Sequence, residues 1–385
     1  MGNSLDLWRV KSISKRGFNV SSIGEKALLV GVTFKRPSTY WQMEDSLQEL
    51  SELARAAGAE VMGTIKQRLL RPTSYYLGKG KLEEVKQLKA FYDCSVVIFD
   101  DELSPTQQRN LEQTIGEKVI DRTALILDIF ASRARTREGQ LQVELAQHEY
   151  LMPRLAGQWA HLERLGGGIA TRGPGETQIE TDRRLIRGRI KKLKEQLDRV
   201  RRHRTLHRDR RRKSGLPVAS LVGYTNAGKS TLFNKLSNAG VVSKNQLFST
   251  LDPITRRIRL PSGRQVLLTD TVGFIQKLPT NLVAAFRATL EEIADAELLL
   301  HVVDVAHANA PEHVDVVEKI LDGLGLSTKP RILCLNKIDL LGSISTGLGV
   351  EVLGQRPALV AQGVQRSANV LRVDRQVDVE QARIA

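Results

Sequence analysis

The sequence has little cysteine and no long apolar run. It contains two cysteines among 385 residues, Cys94 and Cys334, which lie far apart in apolar stretches. This spacing favours buried thiols in a reducing compartment over a disulfide framework. No apolar run approaches the roughly 18 residues that cross a membrane, and residues 1–25 lack the apolar stretch of a signal peptide. We therefore expect a cytoplasmic globular protein.

Negative charge is scarce in one segment. Residues 183–213 contain 16 lysines and arginines but three acidic residues, so they supply +13 of the formal net charge of +15. A localised excess indicates a polyanion-binding element rather than a generally basic protein. A solvated helix face is the alternative, although such faces usually mix both signs. We favour contact with a nucleic-acid backbone. The candidate residues are Arg201, Arg202, Arg210 and Arg211.

Strand-like and helix-like stretches alternate over residues 27–133. Their order, β-α-β-α-β-α-β with a further helix from Thr123, predicts a small parallel sheet with helices on its faces. Within it, Gly78-Lys-Gly-Lys81 precedes a predicted helix and is suited to bind an anion there. A turn with solvated lysines explains these four residues at least equally well.

Two helices are predicted in the middle of the chain. Residues 138–165 carry apolar side chains at helical spacing, and a second helix is predicted from Thr181 to about Arg212. The a/d positions of a coiled coil in this second helix are Ile186, Ile190, Leu193, Leu197 and Val200. The Gly-rich stretch 166–176 does not suit regular structure. We therefore predict an antiparallel helical hairpin with a Gly-rich tip and outward-facing basic residues.

Residues 223–230 match G-x-x-x-x-G-K-[ST], the pattern of a loop that binds nucleotide phosphates. This loop follows the apolar run Val218–Val222 and precedes a helix-like stretch, so the phosphates would lie at a helix N-terminus. Lys229 would reach the β- and γ-phosphates, and the Ser230 hydroxyl would hold Mg²⁺. An ordinary glycine turn is the alternative, but the flanking strand and helix favour the phosphate site.

Two later motifs complete the nucleotide site, and the second of them identifies the base. Asp270-Thr-Val-Gly273 ends a predicted strand and suits a water-mediated Mg²⁺ contact together with an N–H at the γ-phosphate. Asn336-Lys-Ile-Asp339 ends another strand, and Asp339 can accept from both N1–H and the amine of guanine, whereas adenine offers neither donor. Ser230 and Thr250 are expected to hold Mg²⁺. The residues expected to bind GTP are Gly223, Tyr224, Thr225, Asn226, Ala227, Gly228, Lys229, Ser230, Phe248, Ser249, Thr250, Leu251, Asp252, Asp270, Thr271, Val272, Gly273, Asn336, Lys337, Ile338 and Asp339.

The motifs and their order resemble the HflX-type GTPases of the translation-factor-related P-loop class, over about residues 26–341. The most specific parts of the likeness are Asp121–Phe130, Leu141–Gln147 and Gly166–Arg184. The resemblance implies a GTP-hydrolysing factor that binds the large ribosomal subunit and its rRNA, and that splits or rescues ribosomes under stress. It also implies ATP binding near Gly78–Lys81. We expect a monomer that associates with ribosomes and the membrane surface.

No catalytic residue is certain from the sequence. Gly273 is expected at the γ-phosphate, but Phe274 follows it where a glutamine would orient the attacking water. We therefore expect slow intrinsic hydrolysis that a partner or a monovalent cation accelerates. Asn226 occupies the loop position where related GTPases hold K⁺ with a carboxamide. A turn-forming role for Asn226 is the alternative.

The predicted fold is α/β. It consists of a disordered leader (1–25), a small parallel α/β domain (26–135), an antiparallel helical hairpin (136–213), a Ras-like P-loop GTPase domain (214–341) and an atypical tail (342–385). The tail contains no lysine or aromatic residue, and Ser367-Ala-Asn369 is its candidate for the loop that contacts guanine. It is either a divergent ending or a frame artefact. Two other functions stay open: a nucleotide-dependent RNA-binding or remodelling protein, and a GTPase-like scaffold with weak hydrolysis.

Overall fold

The computed structural model describes residues 24–34, 42–71, 73–155, 174–213, 215–237, 247–248, 250–278, 292–341 and 371–372. For 174–179, 201, 203–213 and 371–372 it describes the backbone alone. The predicted leader before residue 24, the Gly-rich residues 166–173 and Ser367–Asn369 of the tail lie outside the described residues. The chain forms two compact units, the first built mainly from residues before Arg201 and the second mainly from Arg201 onward.

A four-stranded parallel sheet forms the core of the first unit. Its strands are β1 (Lys26–Phe34), β2 (Glu60–Leu69), β3 (Val96–Phe99) and β4 (Lys118–Asp121), in the order β2-β1-β3-β4. The two inner strands are mostly buried and apolar, as expected for strands covered on both faces. The helices between and after the strands are α1 (Met43–Ala56), α2 (Lys79–Tyr92), α3 (Pro105–Ile115) and α4 (Arg122–Arg133). The predicted parallel α/β fold is confirmed.

A buried charge network lies at the carboxyl ends of β3 and β4. The Arg122 side chain, 1% exposed, donates to Asp100 at 2.7 Å and also to Glu49 of α1. Asp100 accepts a further hydrogen bond from the Ser46 hydroxyl at 2.6 Å. Breaking a buried ion pair by removing one partner costs about 3–5 kcal/mol. The network therefore fixes α1 against this edge of the sheet.

The two helices of the predicted hairpin have different ends from those expected. Helix α5 spans Arg137–Leu151 and ends there, because Pro153 lacks the N–H that a continuing helix would use. Residues 156–165 of the predicted helix lie outside the described residues. Helix α6 spans Pro174–Lys213 and begins well before Thr181. Proline is favoured in the first turn of a helix, where its missing N–H is not needed. The prediction of irregular structure is therefore wrong for 174–176.

The seam of α6 agrees with the predicted heptad spacing. Ile186 and Leu193 are buried, whereas Ile190, Leu197 and Val200 are half-buried. Two ion pairs join α6 to α5: Arg189 with Glu144 at 2.8 Å and Lys194 with Glu149 at 2.8 Å. Most of the basic side chains described on α6 are exposed. The helix therefore packs through its apolar stripe and presents its positive charge outward.

A six-stranded sheet forms the core of the second unit, in the order β10-β9-β8-β5-β7-β6. The strands are β5 (Val218–Val222), β6 (Ile254–Arg259), β7 (Gln265–Asp270), β8 (Leu298–Asp304), β9 (Arg331–Asn336) and β10 (Leu371–Arg372). Neighbouring strands are parallel except β6, which is antiparallel to β7. The helices are α7 (Lys229–Ser237) and α8 (Ala310–Gly323). The loop that follows β5 begins at the carboxyl end of a central strand. This edge is where α/β sheets bind ligands.

Two expectations from composition agree with the structure. Cys94 and Cys334 are free and buried, and burial raises the pKa of the Cys334 thiol to about 12. Within the described ranges, none of the helices combines the length and apolar character needed for a membrane span.

Candidate nucleotide-binding site

The loop after β5 contains residues with positive φ, and these are of types that adopt this conformation readily. Asn226 has φ +60° and Gly228 has φ +96°, both in the left-handed region. Asparagine and glycine are the residues that enter this region most readily. A Cβ atom on Gly228 would also overlap the Asn336 amide nitrogen. The loop therefore needs glycine at 228 for two reasons, backbone conformation and close packing.

Lys229, the first residue of α7, lies inside the loop. Its ammonium donates to the carbonyl oxygens of Gly223 at 3.1 Å and Tyr224 at 2.6 Å. Burial lowers the pKa of Lys229 to about 8, although the negative charge of Asp270 acts in the opposite direction and raises it. A buried cation of this kind is stabilised by any anion that enters the loop. The arrangement suits the predicted contact with the β- and γ-phosphates.

Three oxygen-bearing side chains meet beside Lys229. The Ser230 hydroxyl lies 2.7 Å from Asp270 Oδ2 and 2.7 Å from the Thr250 hydroxyl, and Thr250 lies 3.1 Å from the same carboxylate oxygen. The pKa of Asp270 is raised overall, because burial raises it more than the hydrogen bonds from Ser230 and Thr250 lower it. The other carboxylate oxygen, Oδ1, is buried and has no hydrogen-bond partner among the described residues. Oxygen ligands around an unsatisfied carboxylate fit a magnesium ion, which Ser230 and Thr250 would hold with Asp270 nearby.

The segment after Asp270 is joined to the phosphate loop through its backbone. The Thr225 N–H donates to the Phe274 carbonyl at 2.8 Å, and the Phe274 N–H donates to the Gly223 carbonyl at 3.1 Å. The Tyr224 hydroxyl accepts a hydrogen bond from the Gln276 N–H at 2.9 Å. These contacts hold Gly273 against the loop, on the side where the γ-phosphate is expected.

Tyr224 also connects the loop to α8. Its ring stacks on the His313 ring, with centroids 3.8 Å apart and planes 4° from parallel. Burial and the nearby His307 lower the pKa of His313 to about 3. The stacked imidazole is therefore neutral at physiological pH and packs as an aromatic ring. Tyr224 was predicted from the loop pattern, whereas no sequence signal indicates His313.

The Asn336–Asp339 segment lies at the other side of the loop. The Asn336 amide donates to the Ala227 carbonyl at 2.8 Å, and the Lys337 ammonium donates to Asp304 at 2.7 Å. Asp339 is exposed in a short 3-10 helix, Ile338–Leu341. The first residue of the motif therefore anchors the segment to the phosphate loop, while the last presents a carboxylate to solvent.

A cleft forms where these segments meet. Its lining residues are Thr225, Asn226, Gly228, Lys229, Ser230, Thr231, Phe248, Thr250, Thr271 and Gly273. Thr231 was not predicted, although its place directly after Ser230 at the start of α7 could have indicated it. The predicted residues Leu251 and Asp252 do not line this cleft. Ser249 lies outside the described residues.

Two predicted sites lie elsewhere on the chain. At the start of α2, the Gly78 N–H donates to Gln67 at 3.0 Å and Lys81 pairs with Glu84 at 2.7 Å, so both groups already have protein partners. That geometry gives no added support to an anion or ATP site, which stays a prediction. On α6, Arg202 is exposed. The side chains of Arg201, Arg210 and Arg211 lie outside the described residues.

Three family models match successive parts of the chain. They are described as GTP-binding GTPase N-terminal, at residues 44–131, GTP-binding GTPase Middle Region, at 133–211, and 50S ribosome-binding GTPase, at 218–337. Among solved structures, the complex of SsGBP with GDP has 25% identity and a TM-score of 0.50, covering 90% of this chain and 91% of that one. A GTP-binding protein from Sulfolobus solfataricus in complex with GDP has 26% identity and a TM-score of 0.44, covering 86% and 88%.

Curated relatives are similar over most of the sequence. The GTPase HflX of Caldanaerobacter subterraneus subsp. tengcongensis is 53% identical over 324 residues, which are 84% of this chain and 74% of that protein. The GTPase HflX of Escherichia coli K12 is 49% identical over 325 residues, 84% of this chain and 75% of that protein. With its phosphate loop, its Asp270–Gly273 and Asn336–Asp339 segments and this degree of identity, the chain belongs to the HflX family of GTPases.

Proposed function

We propose that this GTPase is a cytoplasmic factor that binds the large ribosomal subunit and separates or rescues stalled ribosomes. The observation that carries the proposal is that one chain contains both a phosphate-loop cleft and the helix α6, on which most of the described basic side chains are exposed. The match of 218–337 to a family described as 50S ribosome-binding GTPase supports the same partner. In the proposed cycle Mg²⁺ neutralises phosphate charge when it is bound. Lys229 contacts the phosphates, and Asn336 and Asp339 hold the base.

The proposal is tested by cosedimentation with purified ribosomal particles in the presence of GTP, GDP and ATP analogues. We expect binding to large subunits that is strongest with a non-hydrolysable GTP analogue, and conversion of 70S particles into subunits with GTP. Binding driven by ATP analogues instead would favour the RNA-remodelling alternative. Ribosome binding that is indifferent to the nucleotide would favour a scaffold.

Replacing Arg201, Arg202, Arg210 and Arg211 by glutamine should weaken ribosome binding and flatten its salt dependence. Each phosphate contact that is lost removes about one unit from the slope of log K against log salt, because fewer counterions are released on binding. The measurement is a ribosome-binding titration over a range of KCl concentrations.

A variant with the same loss of charge provides the control. Arg55, Arg68, Arg71 and Arg257 are exposed and lie outside α6, and their replacement by glutamine should leave the slope close to wild type. If both quadruple variants flatten the slope equally, net charge matters and α6 is not the contact.

Hydrolysis should be faster in KCl than in NaCl, and large subunits should accelerate it further. Asn226 lines the cleft, and in this proposal its carboxamide holds a K⁺ ion that offsets charge in the transition state. One such electrostatic contact is worth about 10²-fold in rate. The measurement is single-turnover GTP hydrolysis in the two salts, with and without ribosomes.

The role of Asn226 in the turn is separated from its role toward K⁺ by two variants. Asn226→Gly accepts φ +60° without a carboxamide, so it should keep GTP binding and lose the K⁺ effect. Asn226→Ala adds backbone strain and should also weaken GTP binding. A K⁺ effect that survives in Asn226→Gly would show that Asn226 forms only the turn.

A further inference from the structure

The residue after Gly273 is an apolar phenylalanine, Phe274, where a glutamine would orient the attacking water. Phe274 follows Gly273 and is 2% exposed, so its apolar side chain cannot orient or stabilise the reacting groups. The reaction still has to stabilise charge that develops on the γ-phosphoryl oxygens. Another side chain at this end of the cleft, a bound cation or a partner must meet that requirement.

The position of the γ-phosphate end is marked by Lys229 and Gly273. A Cβ atom on Gly273 would lie 3.0 Å from the Lys229 ammonium, 2.8 Å from Thr225 Cα and 2.9 Å from Thr225 Cγ2. Thr225, Gly273 and the end of Lys229 therefore converge within one or two atomic diameters. The phosphate-loop pattern already gives the Lys229 side chain a role, and Gly273 has no side chain. Thr225 therefore supplies the one remaining side chain of these three residues, and the pattern gives it no role.

The Thr225 hydroxyl is buried and has no hydrogen-bond partner among the described residues. The residue is 6% exposed, lines the cleft, and is held in place by its N–H, which donates to the Phe274 carbonyl at 2.8 Å. Buried hydroxyls are nearly always paired, because leaving one unpaired lowers stability. An unpaired hydroxyl in the wall of a ligand cleft is accounted for by a bond to the ligand.

We propose that the Thr225 hydroxyl donates a hydrogen bond to a γ-phosphoryl oxygen of GTP and strengthens that bond in the transition state. This inference rests on GTP hydrolysis at the P-loop site. In that reaction the water oxygen bonds to the γ-phosphorus while the bond from this phosphorus to the β,γ-bridging oxygen breaks. The bridging oxygen keeps the electron pair on GDP, and both protons of the water leave with the phosphate as H₂PO₄⁻, which can then release one to solvent. Thr225 keeps its own proton throughout.

The test compares Thr225→Val with Thr225→Ser. Valine keeps the volume, the β-branch and the methyl group beside Gly273 and removes only the hydroxyl, so it adds no bulk to the cleft. Single-turnover GTP hydrolysis should fall about tenfold to a hundredfold in Thr225→Val, the loss of one hydrogen bond to a charged group. Thr225→Ser should stay close to wild type. GDP has no γ-phosphate, so affinity for fluorescent GDP should change less than twofold in both variants.

Thermal unfolding gives an independent measurement. Because valine removes an unpaired buried hydroxyl, Thr225→Val should melt at or above the wild-type temperature in the nucleotide-free state. Thr255→Val is the control: it removes a hydroxyl that lies outside the cleft and pairs with Thr269 at 2.9 Å, and it should leave the hydrolysis rate unchanged.

Three results would overturn the proposal: a wild-type rate in Thr225→Val, an equal fall in GDP affinity, or equal losses in the valine and serine variants. The last would show that any change to this side chain disturbs the loop and that the fall in rate is not specific to the hydroxyl. Failure of the wild-type protein to bind or separate ribosomes would instead count against the proposed function, and GTP hydrolysis by the isolated variants could still be compared.

Discussion

Asp339→Asn should lower affinity for GTP about 10²- to 10⁴-fold and transfer preference to xanthosine triphosphate. The Asp339 carboxylate is expected to accept two hydrogen bonds from guanine, and each bond to a charged group is worth about 1.5–3 kcal/mol. Xanthine carries an oxygen where guanine carries its amine, so it needs a donor at this position, and asparagine supplies one. Asn336, which binds the Ala227 carbonyl at 2.8 Å, keeps the segment in place in the variant.

The measurement is a fluorescence titration of wild type and variant with GTP, xanthosine triphosphate and ATP. Asp322→Asn serves as the control, because it removes an exposed carboxylate of α8 outside the cleft. Its affinities should equal those of wild type. Unchanged GTP affinity in Asp339→Asn, with no gain for xanthosine triphosphate, would show that another residue reads the base.

Gly228→Ala should abolish binding of both GTP and GDP. The added Cβ would overlap the Asn336 amide nitrogen, so it would displace the Asn336–Asp339 segment, which is expected to bind the base. It would also strain a backbone with φ +96°. Loss of the Asn336–Ala227 hydrogen bond alone leaves a buried group unpaired, at a cost of about 1–3 kcal/mol. With the overlap added, we expect affinity to fall by at least about 10²-fold.

Gly263→Ala separates backbone strain from the overlap. Gly263 has φ +81°, and an added Cβ there would meet only the Arg259 side chain, at 3.9 Å. Both variants should lose some thermal stability, but only Gly228→Ala should lose nucleotide binding. Equal nucleotide affinities in the two variants would mean that the contact between the loop and Asn336 is unimportant for binding.

Local sequence signals predicted most of the fold and most of the residues that line the cleft. The apolar run of β5, the glycine pattern and the start of α7 follow one another along the chain, so their arrangement can be inferred from neighbouring residues. The same holds for Asp270 and Asn336, which directly end strands. The early start of α6 at Pro174 was missed because the glycines before it dominated the interpretation.

Contacts between distant segments could not be predicted. The stacking of Tyr224 on His313 joins a loop to a helix far along the chain, and a single histidine gives no pattern that indicates it. The Arg122 network joins the end of β4 to Glu49 of α1, and it could not be predicted for the same reason. The unpaired hydroxyl of Thr225 depends on what surrounds it, and the loop pattern allows any residue at that position.

The strand order of the second unit has a consequence for folding during synthesis. The central strand β5 pairs with β7 and β8, and 75 residues separate the end of β5 from the start of β8. At about 5–20 residues per second, the ribosome needs about 4–15 s to supply them. The first unit completes its sheet within one continuous stretch, Lys26–Asp121, and can fold earlier. The apolar β5 segment is therefore without its partner strands in the nascent chain until β7 and β8 have been synthesised.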